Sequence, residues 1–176
     1  MRKTIQGFGL LGIICLACLT AFGQMAQGDS ATAKATEAYT SEADVFYQRH
    51  DFKNAIPLYR KALELQKKKR TLDKTHWRVL VDSLGQAYGI SGDLKNAKAV
   101  YTYGLKEDPK YWLFNYNMAC TYAEMEDVDH AIFHIRAAFA NREKGIKYPS
   151  PWTDGSFQAL MNNDKFVNAL RELDIH

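Results

Sequence analysis

The feature that most constrains this 176-residue chain is a pattern of small and aromatic residues that recurs along it. Between residues 78 and 111 the pattern consists of Val81, Leu84, Gly85, Tyr88, Ala97, Tyr101, Gly104 and Pro109. Leu84 and Tyr88 are four residues apart, so they share one face of a helix. Gly85 and Ala97 are small, as close approach of a second helix requires, and Gly92-Asp93 between them ends one helix and caps the next. The segment therefore predicts two closely packed antiparallel helices.

The same pattern occurs twice more. A shift of 34 residues toward the C-terminus brings the pattern onto Met118, Ala119, Tyr122 and Ala131, and a shift of 42 residues toward the N-terminus brings it onto Tyr39, Phe46, Ala55 and Tyr59. The second shift is eight residues longer than the first, which predicts an insertion at 70–77 beside the basic run Lys67–Arg70. We expect the insertion to lengthen a helix or to form a basic loop.

The order and spacing of these residues resemble the tetratricopeptide repeat (TPR) family. The resemblance implies an all-α fold, a superhelix of antiparallel helix pairs with about three repeats at 36–69, 78–111 and 112–145. It also implies that the pattern residues form the structural core, namely Tyr39, Phe46, Ala55, Tyr59, Leu84, Gly85, Tyr88, Ala97, Tyr101, Pro109, Met118, Ala119, Tyr122 and Ala131. Pro109 is expected at the first position of the helix that follows it.

Residues 146–176 are predicted to close the array. Tyr148–Trp152 carries two prolines and is typical of an extended connection. Asp154 is predicted to cap a short helix, and Asn163 or Asp164 is predicted to cap another that has apolar residues at helical spacing. A stack of repeats leaves its last apolar face uncovered, so we interpret this segment as C-terminal capping helices without a catalytic role.

The TPR resemblance also indicates where function lies. In this family the first helices of the repeats line a concave groove that contacts partner proteins or peptides. Carried over by position, the groove residues are Glu37, Thr40, Asp44, Tyr47, Asp82, Gln86, Tyr116, Cys120 and Glu124. This set is acidic and partly aromatic, so we expect a partner that is basic or that carries an exposed aromatic or aliphatic side chain. Thr40 and Asp44 stand where TPRs that clamp a C-terminal carboxylate have Lys and Asn, so that mode of binding is not expected.

Residues 1–23 are predicted to be a signal peptide. Arg2 and Lys3 precede an uncharged apolar stretch, and Ala21-Phe22-Gly23 offers small residues at a cleavage site before Gln24. The apolar stretch is shorter than the roughly 20 residues that span a membrane. We therefore expect an exported protein, either periplasmic or secreted.

The polar residues 24–35 are predicted to be a flexible spacer between the signal peptide and the repeats. Two other interpretations of the N-terminus stay open, an uncleaved membrane anchor and a lipoprotein modified at Cys18, whose preceding residues match the lipoprotein pattern poorly. The function predicted from these features is a non-catalytic protein–protein interaction scaffold of the cell envelope. A lipid-anchored component of envelope assembly is one alternative, and a membrane is expected as a partner only in that case.

The composition excludes several other classes of protein. Hydrophobic residues make up 47% and charged residues 24%, as in an ordinary globular protein. The net charge of +3 is too small to indicate a nucleic-acid partner. The chain lacks the motifs of nucleotide binding, of the serine nucleophile elbow and of zinc proteases, so we expect no catalytic residue, no cofactor and no small-molecule substrate.

Two groups of side chains are the remaining candidates for chemistry. Cys120 has no histidine near it on its helix to activate the thiol, so we expect it to pack as a small hydrophobic residue. His130 and His134 are four residues apart on one helix and follow Asp127. A small metal-dependent enzyme that uses these two histidines is therefore a second alternative function. Because zinc normally has three or four protein ligands, a solvated helix face without metal is the preferred interpretation.

Overall fold

The computed structural model describes residues 11–143 and 145–173, with side chains from residue 29 onward. The described part of the chain contains only helices, in the order α1 Leu11–Gln48, α2 Phe52–Lys68, α3 Lys74–Ile90, α4 Leu94–Glu107, α5 Trp112–Glu124, α6 Val128–Ala140, a 3₁₀ helix Gly155–Leu160 and α7 Asp164–Glu172. Helices α1 and α2, α3 and α4, and α5 and α6 pack as three consecutive pairs. The 3₁₀ helix packs on α5, and α7 packs on α6.

The same turn joins the two helices of each pair. In each turn a backbone N–H donates to a carbonyl five residues earlier at 2.9 Å, from Asp51 to Phe46, from Asp93 to Tyr88 and from Asp127 to Tyr122. The residue before each aspartate has a positive φ, 57° at His50, 82° at Gly92 and 57° at Glu126. These turns are separated by the 42 and 34 residues that the sequence pattern predicts, so the predicted register is confirmed.

The helix caps predicted at Asp93, Asp154 and Asn163 are confirmed, and Asp127 caps α6 in the same way. Asp93 accepts a hydrogen bond from the Asn96 N–H, and Asp127 accepts one from the His130 N–H. Asp154 caps the 3₁₀ helix, and Asn163, the first of the two predicted alternatives, caps α7. These caps satisfy backbone donors that have no partner inside the helix and so favour the helix starts that they mark, whereas α5 begins without a side-chain cap.

Most of the predicted core residues are buried. Ala55, Tyr59, Leu84, Gly85, Tyr88, Ala97, Tyr101, Met118, Ala119 and Ala131 are buried, whereas Tyr39, Phe46 and Tyr122 are partly buried and pack against the core. Pro109 is a correction, because it is exposed in the turn between α4 and α5. Helix α5 begins at Trp112, three residues later, so Pro109 is not at the first helical position. The turn is closed by the Tyr111 N–H, which donates to the Asp108 carbonyl at 3.1 Å.

The connection between the first two pairs accommodates the extra eight residues. Helices α2 and α3 have 17 residues each, against 13 or 14 in α4, α5 and α6, so α3 already begins at Lys74 within the predicted insertion. Buried Gln66 holds the short loop between them. Its amide nitrogen donates to Thr36 Oγ1 at 2.9 Å and Thr71 Oγ1 at 2.8 Å, and its oxygen accepts from two loop N–H groups.

The N-terminal segment differs from its prediction. Residues 24–35, predicted as a flexible spacer, lie inside helix α1, where Ala31, Ala33 and Ala35 favour helix formation. Residues 1–10 of the predicted signal peptide lie outside the described residues, as do the side chains of Cys18 and Gln24. Within the described part, no helix combines the length and the apolar character needed to cross a membrane.

Candidate functional site

Two clefts open on the side of the array formed by the first helices of the pairs. The α1–α3 cleft has a volume of about 320 Å³ and is lined by Ala33, Glu37, Thr40, Asp44, Tyr59, Thr71, Leu72, Asp73, His76, Val79, Leu80 and Ser83. Three of the predicted groove residues, Glu37, Thr40 and Asp44, lie together here. Val79 is 56% exposed in this cleft.

The second cleft lies between α3 and α5 and is partly walled by the C-terminal segment. This α3–α5 cleft has a volume of about 360 Å³ and is lined by Gly85, Gln86, Gly89, Ile90, Leu94, Tyr101, Leu113, Tyr116, Asn117, Cys120, Thr121, Glu124, Pro149, Asp154 and Ser156. It brings together four predicted groove residues, Gln86, Tyr116, Cys120 and Glu124. Ile90 is 60% exposed in this cleft, just as Val79 is an exposed aliphatic residue in the first cleft.

A chain of hydrogen bonds connects the three first helices beside the two clefts. The Tyr47 hydroxyl donates to Gln86 Oε1 at 2.8 Å, and Gln86 Nε2 donates to Asp82 Oδ2 at 2.8 Å. Asn117 Nδ2 donates to the other oxygen of Asp82 at 2.6 Å. Residues on α1, α3 and α5 are thereby held in one polar network, which fixes the relative position of the helices that carry the clefts.

Asp82 therefore plays a different part from the one predicted. The sequence assigns it to an acidic surface that attracts a cationic partner, but it lines neither cleft and both of its oxygens accept hydrogen bonds from neighbouring amides. Burial raises the pKa of the Asp82 carboxyl to about 7, against the opposing effect of the hydrogen bonds from Asn117 and Gln86. The group thus carries only part of a negative charge at neutral pH, and it acts mainly as a bridge between α3 and α5.

Two further groove residues are held by hydrogen bonds across helices. The Tyr59 hydroxyl of α2 donates to Asp44 Oδ1 at 2.5 Å, and the Tyr116 hydroxyl donates to Asp154 Oδ2 at 2.8 Å. Cys120 Sγ lies 4.0 Å from the same oxygen of Asp154. Burial raises the pKa of the Cys120 thiol well above its usual value, and the Asp154 carboxylate adds to the effect. The thiol is therefore protonated and a poor nucleophile.

Apart from His76, which contacts Asp73, the acidic and basic side chains that line the clefts in the described part of the chain are all carboxylates. Glu37 and Glu124 are exposed, and among the described residues that line either cleft there is no lysine or arginine. Glu37 lies in the cleft that exposes Val79, and Glu124 lies in the cleft that exposes Ile90. Each cleft thus combines an exposed aliphatic side chain with a free carboxylate, an arrangement that complements a cationic, partly apolar surface.

The two histidines considered as metal ligands are not directed at a common site. His130 Nδ1 lies 2.8 Å from Asp127 Oδ2, and His134 Nδ1 lies 3.1 Å from Asn115 Oδ1. Both rings stack on Tyr122, with centroids 4.7 Å and 5.6 Å away. Burial lowers the pKa of His134 to about 4, because the half-buried ring disfavours charge. No group of three or more possible ligands of a metal ion occurs among the described residues.

The basic run Lys67–Arg70 is engaged within the fold. Lys67 Nζ lies 4.5 Å from the centre of the Tyr103 ring, and the Arg70 guanidinium lies 4.5 Å from that of Trp77. Arg70 also contacts Glu107 at 3.2 Å. These contacts tie the end of α2 and its loop to the next helix pair.

Some of the residues that build the clefts are not indicated by the sequence. Asp154 was expected only as a helix cap, Tyr59 only as a core residue, and Asn117, His76 and Ser83 were not considered. Asp154 reaches α5 because the C-terminal segment folds back onto it, which no local pattern in the sequence indicates. The positional rule carried over from the repeat family covers only certain positions of the first helices. It therefore omits Tyr59 and Asp154, which lie outside those helices, and the other positions on α3 and α5.

A comparison with protein-family models identifies the repeats. The model described as "Tetratricopeptide repeat" matches residues 36–69 and 82–111, which contain α2, α4 and the C-terminal parts of α1 and α3. The α5–α6 pair lies outside the matched segments but has the same turn geometry. A search of curated proteins finds no match to this chain. Repeats of this type generally mediate protein–protein interactions and are generally non-catalytic. The chain therefore has an all-α, TPR-type fold of antiparallel helix pairs.

Proposed function

We propose that this protein is a non-catalytic interaction scaffold of the cell envelope that binds a partner protein or peptide in the groove formed by the α1–α3 and α3–α5 clefts. The repeats support a role in protein binding, and the exposed Val79 and Ile90 provide apolar anchor points in the groove. The observation that carries the proposal is that each cleft pairs such an aliphatic residue with a carboxylate and is lined by no described lysine or arginine.

The groove favours a cationic partner segment with aliphatic or aromatic side chains. Val79 and Ile90 are eleven residues apart on α3, which corresponds to about 16 Å along the helix. An extended peptide rises about 3.3 Å per residue, so residues five apart in the partner would reach both anchor points. The carboxylates speed the encounter, whereas the buried apolar contacts slow dissociation.

The binding proposal is tested with a displayed library of random peptides selected against the purified protein. We expect the selected peptides to be enriched in Lys or Arg beside aliphatic or aromatic residues. Glu37→Gln combined with Glu124→Gln is expected to slow association and to reduce its dependence on salt, because exposed charges are screened within about 8 Å at physiological ionic strength. Val79→Ser combined with Ile90→Ser is expected to speed dissociation.

Lys95→Glu on α4 provides the control, since it is exposed and lies outside both clefts. Peptides that bind all of these variants with unchanged kinetics would show that the groove is not the binding surface. Glu37 and Glu124 are preferred to Asp44 and Asp82 for this test, because the last two accept hydrogen bonds that hold helices together.

Export to the envelope rests on the sequence of residues 1–23 and has a separate test. Mass analysis of the protein isolated from its native source is expected to find a mature N-terminus at Gln24. An intact Met1 would contradict export by cleavage, and a lipid-modified N-terminal Cys18 would favour the lipid-anchored alternative.

A further inference from the structure

Helix α6 carries an apolar groove on a face that the proposed binding site does not use. The groove has a volume of about 520 Å³ and is lined by Asp129, Ile132, Phe133, Arg136, Ala137, Ala140 and Lys165. Phe133 is 65% exposed, and no α6 residue lines the α1–α3 or α3–α5 cleft. A phenylalanine with this exposure beside small side chains is typical of an interaction surface.

The exposed residues of α6 form one stripe along the helix. Asp129, Phe133, Arg136 and Ala140 are exposed and follow the spacing of four, three and four residues that keeps side chains on one face. Ala137 and Ala140 leave room at the C-terminal part of the stripe. Another helix can therefore approach this part of α6 closely.

The charges on the stripe are symmetrical about its centre. Asp129 and Arg136 are two helical turns apart, and the midpoint between them falls between Ile132 and Phe133. When two copies of α6 lie antiparallel across that midpoint, Asp129 of each copy faces Arg136 of the other. The arrangement repeats both attractive pairs by symmetry, whereas a parallel arrangement would place like charges together.

Within one chain, Asp129 and Arg136 form only solvent-exposed ion pairs. Asp129 pairs with Lys165, and Arg136 pairs with Glu172 at 2.5 Å, so both partners lie on α7. All four side chains are more than half exposed. Exposed ion pairs of this kind contribute little to stability, so a second copy can share them at small cost.

We propose that two copies of this chain associate through α6 in an antiparallel, two-fold symmetric contact. Phe133 of each copy packs beside Ile132 and Phe133 of the other, and the two Asp129–Arg136 pairs flank the apolar centre. The contact is about one helix wide, so the dimer dissociates on dilution more readily than an obligate dimer. Both binding grooves stay open, and the dimer would bind a multivalent partner with increased avidity.

Sedimentation velocity of the full chain over a range of concentrations tests the proposal. The natural sequence is expected to show a reversible monomer–dimer equilibrium. Phe133→Ala is expected to weaken dimerisation at least about tenfold, because it removes the central anchor. Asp129→Arg and Arg136→Asp are each expected to weaken it to a similar extent, because each places like charges opposite one another at both ends.

A mixture of the two charge variants gives the decisive result. Asp129→Arg and Arg136→Asp chains mixed in equal amounts should form a heterodimer, since every arginine then faces an aspartate. Lys95→Asp changes the net charge as much as Arg136→Asp does and should leave dimerisation unchanged. A natural sequence that stays monomeric at all concentrations, or a mixture that associates no better than its components, would overturn the proposal. Circular dichroism of each variant verifies that it is folded.

Discussion

The Tyr116 hydroxyl on α5 donates a hydrogen bond of 2.8 Å to Asp154 Oδ2, and this contact joins residues 38 positions apart. The same carboxylate accepts the Ser156 N–H at 3.0 Å and so caps the 3₁₀ helix. The Asp154 side chain thus lies where the C-terminal connection ends and the 3₁₀ helix begins, and it forms part of one wall of the α3–α5 cleft. The shape of that cleft depends on the C-terminal segment as much as on the repeats.

Removing the Tyr116 hydroxyl is expected to destabilise the protein. Tyr116→Phe should lower the free energy of unfolding by about 1–3 kcal/mol, because a partly buried carboxylate loses a donor. Urea denaturation measures the effect. Asp154→Ala and the double variant complete a thermodynamic cycle, and strictly additive losses would show that the two groups are not coupled.

Gly85 and Gly89 on α3 are a matched pair for a test of helix packing. A Cβ atom at Gly85 would lie 2.4 Å from Tyr101 Cζ, whereas a Cβ atom at Gly89 meets nothing within 4 Å. Gly85→Ala should therefore cost about 1–3 kcal/mol through overpacking, while Gly89→Ala should be neutral or stabilise by up to about 1 kcal/mol through helix propensity. Thermal unfolding distinguishes them, and equal melting temperatures would contradict the close contact.

Ala97 on α4 is completely buried at the contact between paired helices. Ala97→Glu is expected to cost several kcal/mol, because it overpacks the contact and buries an unpaired charge. Lys95→Glu on the same helix is exposed and should change the free energy of unfolding by no more than about 0.5 kcal/mol. Lys98 is less suitable as a control, since it is partly buried and its Nζ lies 5.6 Å from the centre of the Tyr122 ring. Similar denaturation midpoints for the two variants would refute the assignment of Ala97 to the helix contact.

The raised pKa of Asp82 predicts a pH dependence of stability. The Asp82 carboxyl has a pKa of about 7 in the folded state and of 3.8, its ordinary value, in the unfolded state. Between pH 3.8 and pH 7 the folded state therefore binds a proton that the unfolded state has lost. The stabilisation is complete below the unfolded pKa and is lost as the pH rises through 7. Asp82→Asn should therefore gain on the order of 1 kcal/mol relative to the natural protein between pH 6.5 and 8.5.

Denaturation at a series of pH values measures the Asp82 effect, and a constant difference between variant and natural protein would contradict it. The range above pH 6.5 is chosen to limit the effect of His134, whose folded pKa is lowered to about 4. His134 acts with the opposite sign, since its contribution is complete above the unfolded pKa of 6.5 and is lost as the pH falls toward 4. Below pH 6.5 the two effects partly cancel.

Most of the fold can be predicted from local patterns, because each pattern involves residues that are close together in the sequence. Tyr88, Gly92, Asp93 and Ala97 define a helix end, a turn, a cap and a close contact within ten residues, and the same elements recur at the predicted offsets. These features depend on the backbone and on neighbours in sequence, so their spacing predicts the helix pairs and their register. Helix α1 differs, because residues 24–35 are predicted to be a spacer but contain alanines that favour helix formation.

The site was decided by tertiary structure, because its contacts join residues that are distant in sequence. Glu37, Asp44 and Glu124 line the clefts, but their position in the sequence could not distinguish them from Asp82, whose charge depends on burial against α5. An isolated repeat contains neither Asn117 nor the desolvation that raises the pKa of Asp82. The amino-acid sequence by itself determined which helices form and in what register they pair, and only their packing decided which carboxylates face solvent and which hold the helices together.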